Sequence, residues 1–306
     1  MSYQRDELAR LRSLALAQWG VVGHVIPYVL ADQTLYQSVR QSALDYFERN
    51  RIKWWASKYD ARTKGPPARP TGHLTSSQVA CVNHLEPARI DRKVAEQVVQ
   101  TIEPGYHAVP TAPNSFVEYE WIGNSSYLGE KGARRRGANI TSLDALMCGE
   151  RDVRRILLAF EWKYRECYGL KSVATSRKGT DRVATYRPLL VRADCPIRVG
   201  KIEWLFFEPY YQLMRQTLLV WQMVEHGEFG ASDWLHIHVV PELNVALRRS
   251  KATPDLAGWT MHDKWRSVLK DPDRYRLMTA TELLAGVGGA SNRNQWRTWL
   301  NTRYLT

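Results

Sequence analysis

Cysteine is scarce in this chain: the four residues Cys81, Cys148, Cys167 and Cys195 lie far apart in 306 and form no CxxC pair. That excludes a disulfide-stapled scaffold and argues against a zinc ribbon, leaving reduced, structural thiols as the expectation. Long apolar runs are lacking too. The longest uncharged stretch, 13–31, is interrupted by Gln18, Gly20, Gly23, His24 and Pro27, and reads as buried helix and turn rather than a membrane span. The polar opening from Met1 to Glu7 has no compact apolar block of the kind a signal peptide needs, so the chain is expected in the cytoplasm, without a membrane partner. Glycine and proline, at 19 and 14, are too few for a collagenous or disordered chain. A length of 306 residues suits one large domain or two modest ones, with a core that needs neither disulfide nor structural metal. Acid is also in deficit: 31 Asp and Glu face 43 Lys and Arg, a net charge of +12. A polyanion is therefore the first partner to consider. Nucleic acid ranks ahead of anionic lipid, because the charge lies in loops and not along one face of an amphipathic helix.

Changes in hydrophobic period organise the chain. Residues 5–60 read mostly as helix, with Leu44, Phe47, Ile52, Trp54 and Trp55 as apolar contacts. The stretch 64–72, with three prolines and two glycines, breaks regular structure. Beyond it, the polar run from Thr75 to Gln78 offers an N-cap for a helix to about Leu85, and Asp91 caps another to about Ile102. From Ser115 the period becomes two: Val117, Tyr119 and Trp121 alternate with Phe116, Glu118, Glu120 and Ile122, which predicts a strand with an apolar and an acidic face. A Gly-rich loop with Lys131, Arg134, Arg135 and Arg136 follows. Residues 139–147 and 154–164 are the next strand candidates, so a three-stranded meander is expected. Residues 171–201 carry Lys171, Arg177, Lys178, Arg182, Arg187, Arg192, Arg198 and Lys201 against Asp181 and Asp194, half the net charge of the chain. A helix from Glu208-Pro209 to about Glu225, a strand over 233–240 and a helical, Trp-rich end over 245–306 complete the reading.

The chemistry concentrates at Asp144 and at Glu161-Trp-Lys163. Side chains two apart on a strand share a face, so Glu161 and Lys163 project together, and an antiparallel neighbour brings Asp144 to them. Two carboxylates with open positions suit Mg²⁺, which takes oxygen ligands and keeps several waters. An adjacent lysine orients water or neutralises developing charge, as metal-assisted phosphodiester cleavage requires. The plain alternative is a strand-edge ion pair and a turn aspartate, since a bare D-x(n)-E-x-K arises by chance in many chains. Against that, Glu161 and Lys163 emerge from the unusually apolar strand Ile156-Leu-Leu-Ala-Phe160, in a chain whose charge matches a nucleic acid.

These residues resemble the PD-(D/E)XK nuclease superfamily. More closely, His73-Leu-Thr-Ser-Ser-Gln78 with Asn83, then Thr141-Ser-Leu-Asp144, then Glu161-Trp-Lys-Tyr-Arg-Glu166 with Tyr168, are similar to a bacterial group of restriction endonucleases carrying HxxSSQ and EWKYxExY motifs; the likeness spans about residues 45–244. It implies an α/β restriction-endonuclease-like core of helix, three-stranded meander, helix and strand. It also implies cleavage of double-stranded DNA with Mg²⁺, for which Mn²⁺ would substitute. Asp144 and Glu161 would hold the metal and Lys163 would complete the catalytic set. Leu143 stands where the motif's name has proline. Ser76, Ser77 and Gln78 occupy the place of an acidic residue that the superfamily often carries on its first core helix, which leaves the third group of the metal shell open.

Candidates for that group are Glu118, Glu120, Gln78 and Gln212, each with an ordinary structural role as the alternative. Gln212, Arg215 and Gln216 share a helix face, which resembles the glutamine-bearing helix beside the active site in related nucleases but also suits a solvent-facing stripe. Arg134, Arg135, Arg136, Arg177, Lys178, Arg182 and Arg215 are the DNA-binding candidates. His236 and His238 share a strand face without a third ligand and read as buried, hydrogen-bonded histidines. Trp296 and Trp299 read as a core stripe, not as a base-stacking platform. The expected division is an N-terminal helical segment (1–69), the nuclease core (70–245) and a C-terminal helical extension (246–306), with a homodimer suited to symmetric cutting. A repair or recombination nuclease acting on damaged or branched DNA, and a non-catalytic nucleic-acid-binding protein, are the competing functions.

Overall fold

The strand from Arg154 to Trp162 is buried without a break from Ile156 onward, so apolar side chains must be covered on both of its faces. A computed structural model supplies the covers; it describes residues 2–20, 29, 31–56, 69–138, 140–169, 171–176, 179–198, 200–248, 260–289 and 291–304. In chain order the described helices are α1 (Tyr3–Trp19), α2 (Gln37–Arg49), α3 (Ser77–Ile90), α4 (Arg92–Ile102), α5 (Arg182–Leu190), α6 (Tyr210–Glu225), α7 (Val245–Arg248), α8 (Met261–Ser267), α9 (Ala280–Leu283) and α10 (Ser291–Tyr304). The strands are β1 (His107–Val109), β2 (Glu118–Trp121), β3 (Leu143–Arg151), β4 (Arg154–Trp162), β5 (Asp233–Val239) and β6 (Tyr275–Met278).

The sheet runs β1-β3-β4-β5-β6, with β2 paired to the first half of β3 and β1 to its second half. The β3–β4 hairpin is antiparallel, while β4, β5 and β6 are parallel. α6 is the crossover between β4 and β5. One face of the sheet packs against α6 with Leu157, Ala159, Leu213 and Met214, and the other packs against α3 and α4 with Leu158, Phe160, Val82 and Val98. Each large side chain withdrawn from water in this way contributes about 1.5–3 kcal/mol. Residues from α1 and α10 join the same core as α3 and α4, including Leu11, Trp296 and Tyr304.

Local signals set the helix starts. The Ser76 hydroxyl accepts from the Val79 N–H at 3.3 Å to cap α3, and the Asp91 carboxylate accepts from Lys93 N–H at 2.8 Å to cap α4. Along α4, Val94, Ala95, Val98, Val99 and Ile102 recur at helical spacing and are all buried. The helix lies close on β3 because Gly149 has no side chain: a Cβ there would meet Val99 and Ile156 at 3.2 Å.

The α/β class, the meander, α6 and β5 match the sequence reading. Several details differ, among them a helix end at Ile90 for α3 and the helix α5 inside the basic segment. α2 ends at Arg49, and Arg51 turns the chain with φ 53, so 52–56 is irregular where helix was expected. β1 was not anticipated, since three residues carry no period. β3 begins at Leu143 and not at 139, and it continues to Arg151. The C-terminal segment is not wholly helical: Tyr275–Met278 adds β6 beside β5. Four residues are too few to show alternation in the sequence, and the parallel partner lies far away along the chain. Trp296 is buried and donates from Nε1 to Asn83 O at 2.9 Å, in keeping with a core stripe. All four cysteines are free thiols, three of them buried, and among the described residues no helix is long and apolar enough to cross a membrane.

One buried group links this packing to pH. His84 on α3 bonds Ala80 O through Nδ1 at 2.7 Å, and burial pushes its pKa down to about 4. The unfolded chain takes up this proton below about pH 6.5 while the native chain refuses it until about pH 4, so stability present at neutral pH is lost as the pH falls through that window. The share due to His84 is about 3 kcal/mol. Urea unfolding of His84→Gln should therefore lose about 2–3 kcal/mol less than the parent chain between pH 7.5 and pH 4.5; equal losses would assign the acid sensitivity to other groups.

Candidate active site

β3 and β4 pair with Ala145 opposite Phe160, and the next step of that register sets Asp144 across from Glu161. The Asp144 carboxylate accepts the Trp162 backbone N–H at 2.6 Å, which pins it to the end of β4. One residue beyond the strand, the Lys163 N–H still reaches Val239 O of β5 at 2.8 Å, so the chain remains extended and Lys163 shares a face with Glu161. The Lys163 ammonium contacts Glu161 Oε1 and donates to Gln212 Oε1 on α6. Gln216, one turn further along α6, donates to the other oxygen of Glu161 and to Ser142 O. Asp144, Glu161 and Lys163 thus meet, with two α6 glutamines over them.

The two β2 glutamates part company. An uninterrupted strand would place both on one face, but Glu120 has φ 49, in the left-handed region. Glu120 turns to the Asp144 side, where its carboxylate accepts from Gln78 Nε2 at 2.7 Å and Ser142 Oγ at 2.9 Å. Glu118 goes elsewhere. It is buried against Tyr46 OH at 2.6 Å and Arg136 at 3.0 Å, an ion pair inside the α2–β2 contact.

Electrostatics divide the acids into two kinds. Burial drives Asp144 upward, Glu161 and Glu120 beside it drive it further, and Lys163 and the Trp162 N–H offset this only in part, so its pKa stands well above the usual range. Burial also raises Glu120, against the hydrogen bonds from Gln78 and Ser142. Glu161 is the exception: burial alone would raise it, but Lys163 and Gln216 outweigh that and hold it low. For Lys163, burial opposes the ammonium while Glu161 more than restores it, leaving the pKa well above normal. The lysine is therefore a fixed positive charge and cannot serve as a base at neutral pH.

One carboxylate of this neighbourhood was not singled out by its sequence. Glu208, just before α6, lies in the field of Lys163, Arg215 and Glu161, and its Oε2 is buried without a hydrogen-bond partner among the described residues. Its signal was a glutamate opening a helix, which is ordinary. Among the cations, Arg136 is committed to Glu118 and Tyr119 O, and Arg134 to Gly123 O. Arg182 bonds Val173 O at 2.9 Å and lies over the Tyr211 ring. Arg215 also stacks on Tyr211 and lies 3.8 Å from Glu130. Arg135 and Lys131 are exposed. Arg177 and Lys178 lie outside the described residues. His236 and His238 are fully buried, with Nδ1 on Thr217 Oγ1 at 2.9 Å and on Tyr275 OH at 3.1 Å. Burial keeps both neutral, His236 at about 4.

Comparison with known proteins bears on this geometry. A family model described as "Restriction Endonuclease associating with ARP" matches residues 21–305. The chain belongs to that family. Membership suggests a restriction-type nuclease role. Searches of curated proteins and of solved structures return no match.

The crowding of acids has a measurable cost. A carboxyl whose folded pKa is raised loses stability as pH rises from its unfolded pKa toward its folded one. Asp144→Asn keeps an acceptor for the Trp162 N–H and removes the charge, so at pH 7 without divalent cations it should be more stable than the parent by about 0.5–2 kcal/mol. A variant that melts lower than the parent under those conditions would contradict the account of Asp144.

Proposed function

We propose that the chain is a metal-dependent endonuclease of restriction type that hydrolyses phosphodiester bonds of double-stranded DNA. The observation that carries this reading is the meeting of Asp144, Glu161 and Lys163 at the end of β4, in a chain whose family is one of restriction endonucleases. The arrangement also accords with the PD-(D/E)XK pattern. Family membership suggests the class of activity; the roles below rest on the chemistry of the side chains.

The donor set fits Mg²⁺ or Mn²⁺. Its atoms are carboxylate oxygens, and burial and neighbouring negative charge raise the pKa of Asp144 and Glu120, a tension that a divalent cation would relieve. Among the described residues no three His, Cys, Asp or Glu side chains enclose a cation. Mg²⁺ uses one or two protein carboxylates and retains water. Asp144 and Glu161 would hold it, with Glu120 completing the acidic wall. Bound there, the metal would polarise the phosphodiester and acidify a coordinated water.

The chain's own residues supply the rest. Lys163, charged and gripped by Glu161 and Gln212, orients water toward phosphorus by hydrogen bonding and offsets the negative charge that builds on the phosphoryl oxygens. Gln216 keeps Glu161 aimed by holding its second oxygen. Gln78 and Ser142 hold Glu120. Lys131 and Arg135, on the exposed loop after β2, meet flanking phosphates.

Removing the ammonium should separate binding from cutting. Lys163→Ala is expected to bind DNA within a few-fold of the parent in Ca²⁺ and to cut plasmid in Mg²⁺ at least about 10²-fold more slowly. Cleavage at the parental rate would end the assignment of Lys163. The basic loop gives an independent test: replacing Lys131 and Arg135 together by Ala should lower the slope of log affinity against log salt by about 2. A slope that does not move would place the DNA elsewhere.

A further inference from the structure

Beside the acidic group the surface carries an unusual aromatic. Trp55 is 49% exposed, although the segment that holds it is firmly anchored. Ile52 and Trp54 are buried, the Ile52 N–H bonds Phe47 O at 2.8 Å, and Trp54 lies flat on Phe47 with ring centroids 3.7 Å apart. Trp55, next to the buried Trp54, faces outward. Its backbone N–H donates to Gln78 Oε1 at 2.8 Å, and the amide of the same Gln78 donates to Glu120 at 2.7 Å. Two hydrogen bonds therefore tie the backbone of Trp55 to the Glu120 carboxylate. The ring of His73 meets the indole edge-on, with centroids 6.0 Å apart.

The basic loop is joined to the same segment. Gly137, at φ 71, packs so closely on the backbone of Lys53 that any Cβ would collide with it. The loop that carries Arg135 is therefore packed on the segment that carries Trp55. Holding a large apolar ring half in water forfeits burial that folding would otherwise gain. An exposed aromatic face on a segment packed against a basic loop suits a nucleobase, since every base offers a π face and carries phosphates on either side.

We propose that Trp55 stacks on an unstacked nucleobase next to the phosphodiester that lies at Asp144 and Glu161, so that the indole sets the path of the strand into the site. The location beside a scissile phosphate rests on the nuclease reading; the stacking contact does not. The test uses the full chain in Ca²⁺ with DNA duplexes carrying 2-aminopurine at successive positions, each also made with that base unpaired, and cleavage kinetics in Mg²⁺. The parent chain should change 2-aminopurine fluorescence at one or two positions and bind the unpaired form more tightly. Trp55→Ala should abolish both effects and weaken binding roughly ten-fold, raising KM more than it lowers kcat. Trp55→Phe, which keeps an aromatic face, should recover most of the affinity and guards against a folding defect. Parental affinity and fluorescence in Trp55→Ala would overturn the proposal. A parent chain that shows the Trp55-dependent signal yet cuts no DNA would overturn the nuclease reading and leave the stacking contact standing.

Discussion

The interaction on which the rest depends is the contact between Lys163 and Glu161, made where almost no water can reach either group. A buried ammonium or carboxylate alone would discard its charge, but here each stabilises the ionised form of the other. The backbone makes this durable. Lys163 stays in register with β5 through Val239 O, and Glu161 is held from above by Gln216. With that pair fixed, Asp144 and Glu120 are crowded by negative charge that one lysine cannot offset, and the neighbourhood is left richer in acid than its cations can satisfy. Such tension costs stability and is common where carboxylates serve a function.

The basic side chains are sorted by burial into two uses. Arg89, Arg136 and Arg303 are turned inward, where Arg89 pairs with Glu86, Arg136 pairs with Glu118, and Arg303 donates to Leu74 O. Arg135 and Lys131 face outward. A net charge of +12 therefore overstates the cationic surface offered to DNA, because several guanidinium groups serve as forked donors inside the fold. Gln78 shows the same economy in a neutral residue: its carbonyl holds the backbone of Trp55 while its amide holds Glu120.

Much of the fold was legible because its signals are local. The caps at Ser76 and Asp91, the valine period of α4, the apolar run of β4 and the helix after Pro209 each depend on neighbouring residues, and each element forms near its expected place. Glu161-Trp-Lys163 was legible as a shared face for the same reason, since a strand repeats every two residues. Strand β6 was not, because its stability comes from β5 and not from its own four residues. Glu118 and Glu120 looked equivalent in the sequence. A single positive φ at Glu120 sends one toward Asp144 and leaves the other paired with Arg136.

The sequence by itself determined the class of fold, the strand that leads into Glu161 and Lys163, and the cationic character of the chain, since these follow from short-range period, capping and composition. Only the tertiary structure decided which acids stand beside Asp144, which arginines turn inward to internal partners, and that Trp55 is exposed while Trp54 is buried. Those outcomes depend on backbone turns and on contacts between residues far apart in the chain, where burial and neighbouring charge act through space and leave no pattern along the sequence.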